Sequence, residues 1–272
     1  MDILSPHIIA LTVVFGTIAG FLAGLLGIGG GVILVPLFLW LFPLAGFPPE
    51  LVVHTAFGTS LAIILPTAVS STFGHRKRGN IHWGMVSYLS LGGIAGGVLG
   101  ATVAALVSGA ILKICFGLLQ VIISARLLFF KQPYLPPECI DCARPWQFVA
   151  VGFIGGSFSA FFGIGGGVVT VPLLLLLLHL PMRLAVGNSS ALIVVSSLAA
   201  VAGYIWHGLQ QHVPVPYSLG YVNWLVVILV APLTMICARL GVKFAGRTSQ
   251  TRLIRIFAVV LMLIGIKIIF DF

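Results

Sequence analysis

A glycine-rich motif that occurs twice has the residue types needed to bind a small anion. Gly-Ile-Gly-Gly-Gly-Val stands at residues 27–32 and returns at residues 163–168, each time followed by Val-Pro-Leu. Glycine favours a break in a helix, and the N–H groups at the start of the next helical segment attract negative charge. The bare amides of Gly30-Gly31 and Gly166-Gly167 therefore predict two anion sites. The alternative is that these glycines only allow close helix packing.

A second repeated element offers neutral polar side chains one segment later. Thr59-Ser60 in the first half corresponds to Asn188-Ser189 in the second, where Ser190 follows. Hydroxyl and amide groups complete the coordination of an anion without adding charge. Their alternative role is hydrogen bonding to the carbonyl four residues earlier or to a neighbouring helix, which is the common fate of such residues in membranes.

Titratable groups inside the apolar segments are scarce. The five acidic residues all stand near chain ends or in expected loops, so a relay of buried carboxylates is excluded. His54 follows Glu50 by one helical turn and is the candidate for proton coupling. The alternative is a histidine that anchors the end of its helix. Clusters of nucleophiles or paired carboxylates are missing from the sequence pattern, so we expect no catalytic residues and no enzyme activity.

The elements that carry these motifs are membrane segments. Hydrophobic residues make up 60% of the chain and charged residues 7%, and the mean hydropathy is +1.19. Residues 3–49 and 145–182 contain no Asp, Glu, Lys or Arg. This composition predicts an all-α polytopic membrane protein in a lipid bilayer. The formal net charge of +9 is better explained by the basic loops that orient membrane proteins than by nucleic-acid binding.

The apolar pattern divides into two repeats joined by a linker. Two apolar stretches are too long for a single membrane crossing, and each carries a glycine motif near its middle. Each is therefore predicted as a broken hairpin, either re-entrant or made of two short crossings. The first repeat, 1–130, has hairpin 7–46 and spans 51–73, 82–106 and 111–130; the second, 146–272, has hairpin 147–181 and spans 185–206, 217–240 and 253–270.

Charge placement predicts how the repeats lie in the membrane. If each hairpin enters and returns, the basic loops near Arg76 and Lys243 face the cytoplasm together. The second repeat is then inverted relative to the first, and both termini are periplasmic. Hairpins entering from opposite faces bring their glycine motifs together near the membrane midplane, where transporters of this architecture bind substrate.

The linker 131–145 is expected to be cytoplasmic. It contains Cys139 and Cys142, a C-x-x-C pair for which a metal site, a redox role and a plain linker all remain open. Because a closed structural zinc site needs four ligands, we expect no metal and no cofactor.

Two further glycine patterns have the spacing of close helix contacts. They favour packing inside the chain, with the seam of a homodimer as the alternative. The patterns are Gly16, Gly20 and Gly24, and Gly92, Gly96 and Gly100.

Both motifs are followed by Val-Pro-Leu, and then by Gly-Thr-Ser in the first half and Gly-Asn-Ser-Ser in the second. With these motifs the chain resembles the TauE/SafE family, also called the sulfite exporter or TSUP family. The resemblance covers essentially the whole chain. It implies a bacterial inner-membrane permease for sulfite, an organosulfonate or a related sulfur-containing anion. Family members are often described with about eight spans, whereas the hairpin interpretation gives ten apolar segments. Carried over by matching motif, the substrate-binding residues are Gly27, Gly29, Gly30, Gly31, Thr59, Ser60, Gly163, Gly165, Gly166, Gly167, Asn188 and Ser189.

The mechanism predicted from these features is alternating access around the two glycine motifs. An open anion channel and a membrane scaffold without transport activity are the alternative functions. A channel would give flux that does not saturate, and a scaffold would tolerate larger residues at Gly30 and Gly166.

Overall fold

The fold is a bundle of helices. The structure is a computed structural model that describes residues 6–26, 29–129, 143–211, 215–244 and 250–270. Within these ranges the helices are α1 (Pro6–Leu26), α2 (Gly31–Leu44), α3 (Pro49–Arg76), α4 (Trp83–Leu106), α5 (Gly109–Phe129), α6 (Pro145–Phe162), α7 (Gly167–Leu176), α8 (Met182–Gln210), α9 (Trp224–Phe244) and α10 (Gln250–Phe270), with strands β1 (Ser218–Leu219) and β2 (Val222–Asn223).

Six helices of the described residues are long and apolar enough to cross a bilayer, namely α3, α4, α5, α6, α8 and α9. The predicted class, an all-α polytopic membrane protein, is therefore confirmed. The arms of the second hairpin are unequal: α6 has 18 residues and α7 has 10. At a rise of about 1.5 Å per residue, α7 is about 15 Å long, which is too short to cross by itself.

Both glycine motifs lie where the helix breaks. Gly30 and Gly166 precede α2 and α7 with φ angles of 78° and 72°, and Gly163 follows α6 with φ 69°. This left-handed backbone is costly for residues that carry a Cβ atom, so glycine is what permits the chain to reverse here. The predicted linker lies mostly outside the described residues, which resume at residue 143.

The span predicted at 217–240 begins later than expected, which corrects the sequence analysis. Residues Ser218–Leu219 and Val222–Asn223 pair as short antiparallel strands, and α9 begins only at Trp224. Gly220, with φ 58°, allows the tight turn between the strands. Asn223 then starts the helix, because its Oδ1 atom accepts a hydrogen bond of 3.1 Å from the N–H of Val226.

The longest helices, α3 and α8, form the centre of the bundle and pack against each other. Around them the two halves exchange partners. Helix α1 packs along α9, and α6 packs along α4. The first helix of each half thus contacts the fourth helix of the other half. The inverted orientation of the predicted repeats, and their boundaries, stay predictions.

Glycine makes these exchanged contacts close. Gly20 lies against α9, where an added Cβ atom would stand 2.5 Å from the Cα atom of Thr234. In the same way, Gly96 of α4 lies against α6, where an added Cβ atom would meet the carbonyl oxygen of Phe153. From the other side, a Cβ atom on Gly156 of α6 would lie 2.5 Å from the carbonyl oxygen of Gly93. Backbones can approach this closely only where side chains are missing. Both predicted glycine patterns therefore pack inside the chain, while a homodimer remains a prediction.

Basic residues from different elements gather at one end of the bundle. Arg76 ends α3, and Lys77 and Arg78 follow it. Arg78 donates a hydrogen bond to the carbonyl oxygen of Val242 near the end of α9. We call this the basic end. The opposite end contains Glu50, at the first turn of α3, beside the start of α5 at Gly109. Which membrane face each end meets stays a prediction.

The close contact between α4 and α6 predicts the effect of one added methyl group. We expect Gly156→Ala to destabilise the protein by about 1–3 kcal/mol, since the new atom would press on the backbone around Gly93. Thermal unfolding in detergent measures the change. Gly109→Ala is the matched control, because its nearest atoms are in Val53 at 3.4 Å. An unchanged unfolding temperature for Gly156→Ala would contradict the close packing.

Candidate functional site

The two glycine motifs touch each other inside the bundle. A Cβ atom on Gly29 would lie 3.3 Å from the Cα atom of Gly165, and one on Gly31 would lie 2.5 Å from the Cα atom of Ile164. We call residues 29–31 and 163–167 the glycine junction. Gly27, which sequence analysis also assigned to the site, lies outside the described residues.

Two equivalent isoleucines support the junction from the central helices. Gly165 faces Ile64 of α3, whose Cγ2 atom would lie 3.0 Å from an added Cβ atom, and Gly29 faces Ile193 of α8 at 3.6 Å. Ile64 is near the middle of α3 and is fully buried. The junction therefore lies deep in the bundle, about halfway along α3.

Helices α2 and α7 both begin at the junction, at Gly31 and Gly167, and neither has a side-chain cap. The N–H groups in the first turn of a helix have no acceptor within that helix, and the helix dipole makes this end partly positive. At Gly167 one of these groups donates to the carbonyl oxygen of Gly165 at 3.0 Å. The junction therefore combines two helix starts of the kind that attract anions.

The serines predicted for the site differ in their partners. Ser60 donates a 2.8 Å hydrogen bond to the carbonyl oxygen of Gly163, which ties α3 to the junction. Ser190 donates to the carbonyl oxygen of Val186 at 2.9 Å. Ser189 is fully buried, and its hydroxyl has no hydrogen-bond partner among the described residues. Of these three hydroxyls, the one at Ser189 is uncommitted.

Thr59 and Asn188 hold the starts of other helices. The Oγ1 atom of Thr59 accepts a 3.0 Å hydrogen bond from the N–H of Asn223, the residue before α9. The Oδ1 atom of Asn188 accepts one of 2.8 Å from the N–H of His82, the residue before α4. These contacts give both side chains the helix-linking role that sequence analysis named as the alternative. Their part in anion binding stays a prediction.

A small cavity adjoins the junction. Its volume is about 10 Å³, close to the smallest space that holds one water molecule. Gly29, Thr67, Ser71 and Ser190 are among the residues that line it. Thr67 and Ser71 were not among the residues predicted from the sequence, although two hydroxyls one turn apart inside an apolar span can indicate a polar site. In this conformation the junction has no room for an oxyanion.

A second cavity lies elsewhere. It is a groove of about 1170 Å³ beside α1, α2 and α10. Apart from Lys113, Lys267 and Thr17, its lining is almost wholly apolar, with residues such as Phe21 and Trp40. An apolar groove offers a small inorganic anion little to replace its hydration, so this space is a poor candidate for the substrate site.

His54 links α3 to the end of α4. Its Nε2 atom lies 3.1 Å from the carbonyl oxygens of Ala104 and Val107, and its ring stacks on Tyr221 at a centroid distance of 5.1 Å. Burial raises the pKa of the Tyr221 phenol, which therefore stays protonated beside His54. These contacts match the anchoring role considered for His54. Proton coupling through it stays a prediction.

Metal ligands do not converge in the part of the chain that the structure describes. No group of three or more His, Cys, Asp or Glu residues there is placed to hold a metal ion. Cys139 and Cys142 lie outside the described residues.

Comparison with known proteins gives the family. A family model described as Sulfite exporter TauE/SafE matches residues 12–268. The chain belongs to the TauE/SafE family. It is 28% identical to the "Probable membrane transporter protein YunE" of Bacillus subtilis, over 96% of this chain and 97% of the relative. A "Probable membrane transporter protein" of Haemophilus influenzae is 29% identical, over 95% and 97%.

A further relative comes from an archaeon. The chain is 28% identical to a probable membrane transporter protein of Methanocaldococcus jannaschii, over 95% of this chain and 94% of the relative. No solved structure matches the chain. This TauE/SafE protein is therefore a multi-pass membrane protein of a transporter family.

The backbone at the junction predicts how this TauE/SafE protein tolerates alanine. Gly166→Ala adds a Cβ atom 2.6 Å from the carbonyl oxygen of Gly155 and also forces a left-handed φ on alanine. Gly79→Ala also forces a left-handed φ on alanine, but no atom lies within 4 Å of its added Cβ atom. The φ cost is about 1–2 kcal/mol for either variant. We expect Gly166→Ala to lower the unfolding temperature further than Gly79→Ala, and equal shifts would contradict the crowded junction.

Proposed function

We propose that this TauE/SafE protein is a bacterial inner-membrane permease that moves a small anion, sulfite or an organosulfonate, by alternating access around the glycine junction. The observation that carries the proposal is the meeting of two uncapped helix starts, at Gly31 and Gly167, deep inside the bundle. Each start presents N–H groups and partial positive charge to the same small region. The same geometry is used by transporters that hold a substrate carboxylate between broken helices.

The charges of the chain support an anionic substrate. Among the described residues the one acidic side chain is Glu50, which is exposed at the end of the bundle opposite the basic end. A negative solute at the junction therefore meets no buried carboxylate of the described residues. The unpartnered hydroxyl of Ser189 can donate a hydrogen bond to an anion without adding charge.

The closed junction supports a carrier rather than an open pore. The cavity beside Gly29 has about 10 Å³, so the substrate can enter only if the two motifs separate. Gly31 lies against Gly163 and Ile164, and these contacts must part during each cycle. Separation toward one face at a time gives alternating access.

The uncommitted hydroxyl of Ser189 provides a test that spares the fold. We expect Ser189→Ala to keep or raise the unfolding temperature, because it removes an unpartnered buried polar group. If the hydroxyl donates to the anion, its loss weakens binding by about 1.5–3 kcal/mol, which is on the order of tenfold or more in KM. Saturable uptake into proteoliposomes, screened with sulfite, thiosulfate, methanesulfonate and acetate, measures this change.

The control for this test is Ser197→Ala. Ser197 lies two turns further along α8, is also fully buried and also lacks a partner among the described residues. Uptake by Ser197→Ala should equal that of the wild type. If Ser189→Ala transports all four anions with unchanged KM, or if the wild type shows no saturable uptake of any of them, the proposed function is wrong.

A further inference from the structure

The two halves place different chemistry on the two sides of the junction. Positions in α3 correspond to positions in α8 that lie 129 residues later, as the pair Gly58 and Gly187 and the pair Ile64 and Ile193 show. Gly58 lies against the carbonyl of Tyr221 just before α9, and Gly187 lies against the carbonyl of Asn80 just before α4. Each residue between the junction and the basic end can therefore be compared with its equivalent on the other side.

Toward the basic end, polar side chains continue from the junction without interruption. Thr67 donates to the hydroxyl of Thr234 at 2.7 Å, and the hydroxyls of Ser71 and Ser190 are 3.4 Å apart. His75 lies one turn beyond Ser71 in α3. We call the following residues the polar column: Thr67, Ser70, Ser71, His75 and Arg239.

Arg239 ends the polar column at the basic end. Its Nε atom donates a 3.0 Å hydrogen bond to the Ser70 hydroxyl, while the side chain as a whole is exposed. Ser70 in turn donates to the carbonyl oxygen of Met235 at 2.8 Å. The guanidinium group is thus fixed at the mouth of the column, where its charge attracts anions from water.

His75 is the buried member of the column without a partner. Its side chain is 4% exposed, and neither ring nitrogen has a hydrogen-bond partner among the described residues. A buried polar group left unpaired costs about 1–3 kcal/mol, so His75 is not explained by stability. Its position one turn beyond Ser71, which lines the cavity beside Gly29, places it on the same face of α3.

On the other side of the junction, the equivalent positions are mostly apolar or aromatic. Ser70 and Ser71 correspond to Ala199 and Ala200, and His75 corresponds to Tyr204. Arg239 corresponds to Val98, because α4 and α9 align through His82 and Asn223. The N–H groups of these two residues donate to the equivalent side chains of Asn188 and Thr59. The hydroxyl of Ser196, which corresponds to Thr67, is directed to the carbonyl oxygen of Ile193 at 3.4 Å.

Large rings fill this second side. Tyr204 is fully buried and donates a 2.9 Å hydrogen bond to the carbonyl oxygen of Ala160. Phe57 lies directly against Gly163, and its ring is 5.7 Å from that of Phe116. The ring centroids of Phe116 and Phe162 are 6.5 Å apart. These four residues, Phe57, Phe116, Phe162 and Tyr204, form an aromatic plug between the junction and the end that contains Glu50.

We propose that the polar column is a second anion site, through which a small oxyanion passes between the basic end and the glycine junction. The column residues on α3 are buried here, so the column opens for this passage while the aromatic plug keeps the opposite side closed. The inference rests on the proposed function, since it takes the junction as the central site. The column has a fixed cation at its mouth. Inside it, the unpartnered ring of His75 and the hydroxyl of Ser71, whose nearest partner is 3.4 Å away, can hydrogen-bond an entering anion in place of water.

Cysteine accessibility tests this proposal independently of transport. In a background with Cys115, Cys139, Cys142 and Cys237 changed to Ser, we place single cysteines at Ser71 and at its apolar equivalent Ala200. Lys77→Cys and Glu50→Cys report which face of the proteoliposome the two ends meet. The probe is a charged, membrane-impermeant methanethiosulfonate reagent applied to one face at a time.

We expect Ser71→Cys to react from the face that labels Lys77→Cys, at least ten times faster than Ala200→Cys reacts from either face. Methanesulfonate, which does not react with the probe, should slow the labelling of Ser71→Cys by occupying the column. If Ser71→Cys reacts no faster than Ala200→Cys, the route is wrong even if Ser189→Ala behaves as proposed. Labelling without protection by methanesulfonate or by any transported anion inert to the probe would overturn the assignment to anions.

A variant at His75 tests the asymmetry directly. His75→Tyr copies the residue that closes the other side, and we expect it to reduce the labelling of Ser71→Cys at least tenfold. His75→Gln retains a polar side chain and should restore labelling. The measurement is made on protein that elutes as a single species in detergent. Unchanged labelling in His75→Tyr would contradict a route past His75.

Discussion

The structure depends on how the peptide groups at two helix breaks are accommodated within a membrane. Irregular backbone at this depth is tolerated only where protein surrounds it or where it lines a wet cavity. This chain places the two breaks against each other, so that Gly29 and Gly165 are almost in contact. Ile64 of α3 and Ile193 of α8 pack against this contact and cover it. Each break thus provides part of the protein environment that the other requires.

Glycine content determines how closely these parts can approach. At Gly30 and Gly166 it permits a left-handed turn, and at Gly31 it permits direct contact with Ile164. Along α1 and α6 it brings helices from different halves together, as at Gly20 and Gly156. Without hydrophobic attraction between helices in lipid, such close packing is a main source of association. The same residue type therefore supports the broken helices and the bundle around them.

Much of this arrangement could be predicted from the sequence because it follows from local backbone chemistry. The repeated glycines at 27–31 and 163–167 indicated both helix breaks, and the apolar lengths indicated most helices to within a few residues. The strand pairing at 218–223 was not predicted, because its strands are only two residues long and the single glycine between them, Gly220, is a weak turn signal. The roles of Thr67 and Ser71 were not predicted, because the sequence does not distinguish a hydroxyl that bonds to its own helix from one that faces a cavity.

The exchange of partners between halves affects how the molecule can move and assemble. With α1 along α9 and α6 along α4, each tightly packed pair takes one helix from either side of the linker. A rigid body in this protein is therefore composed of segments that are distant in sequence. The boundary between the two halves in sequence is therefore not a boundary between packed units. We expect neither half to acquire its native packing during synthesis until the other has been inserted.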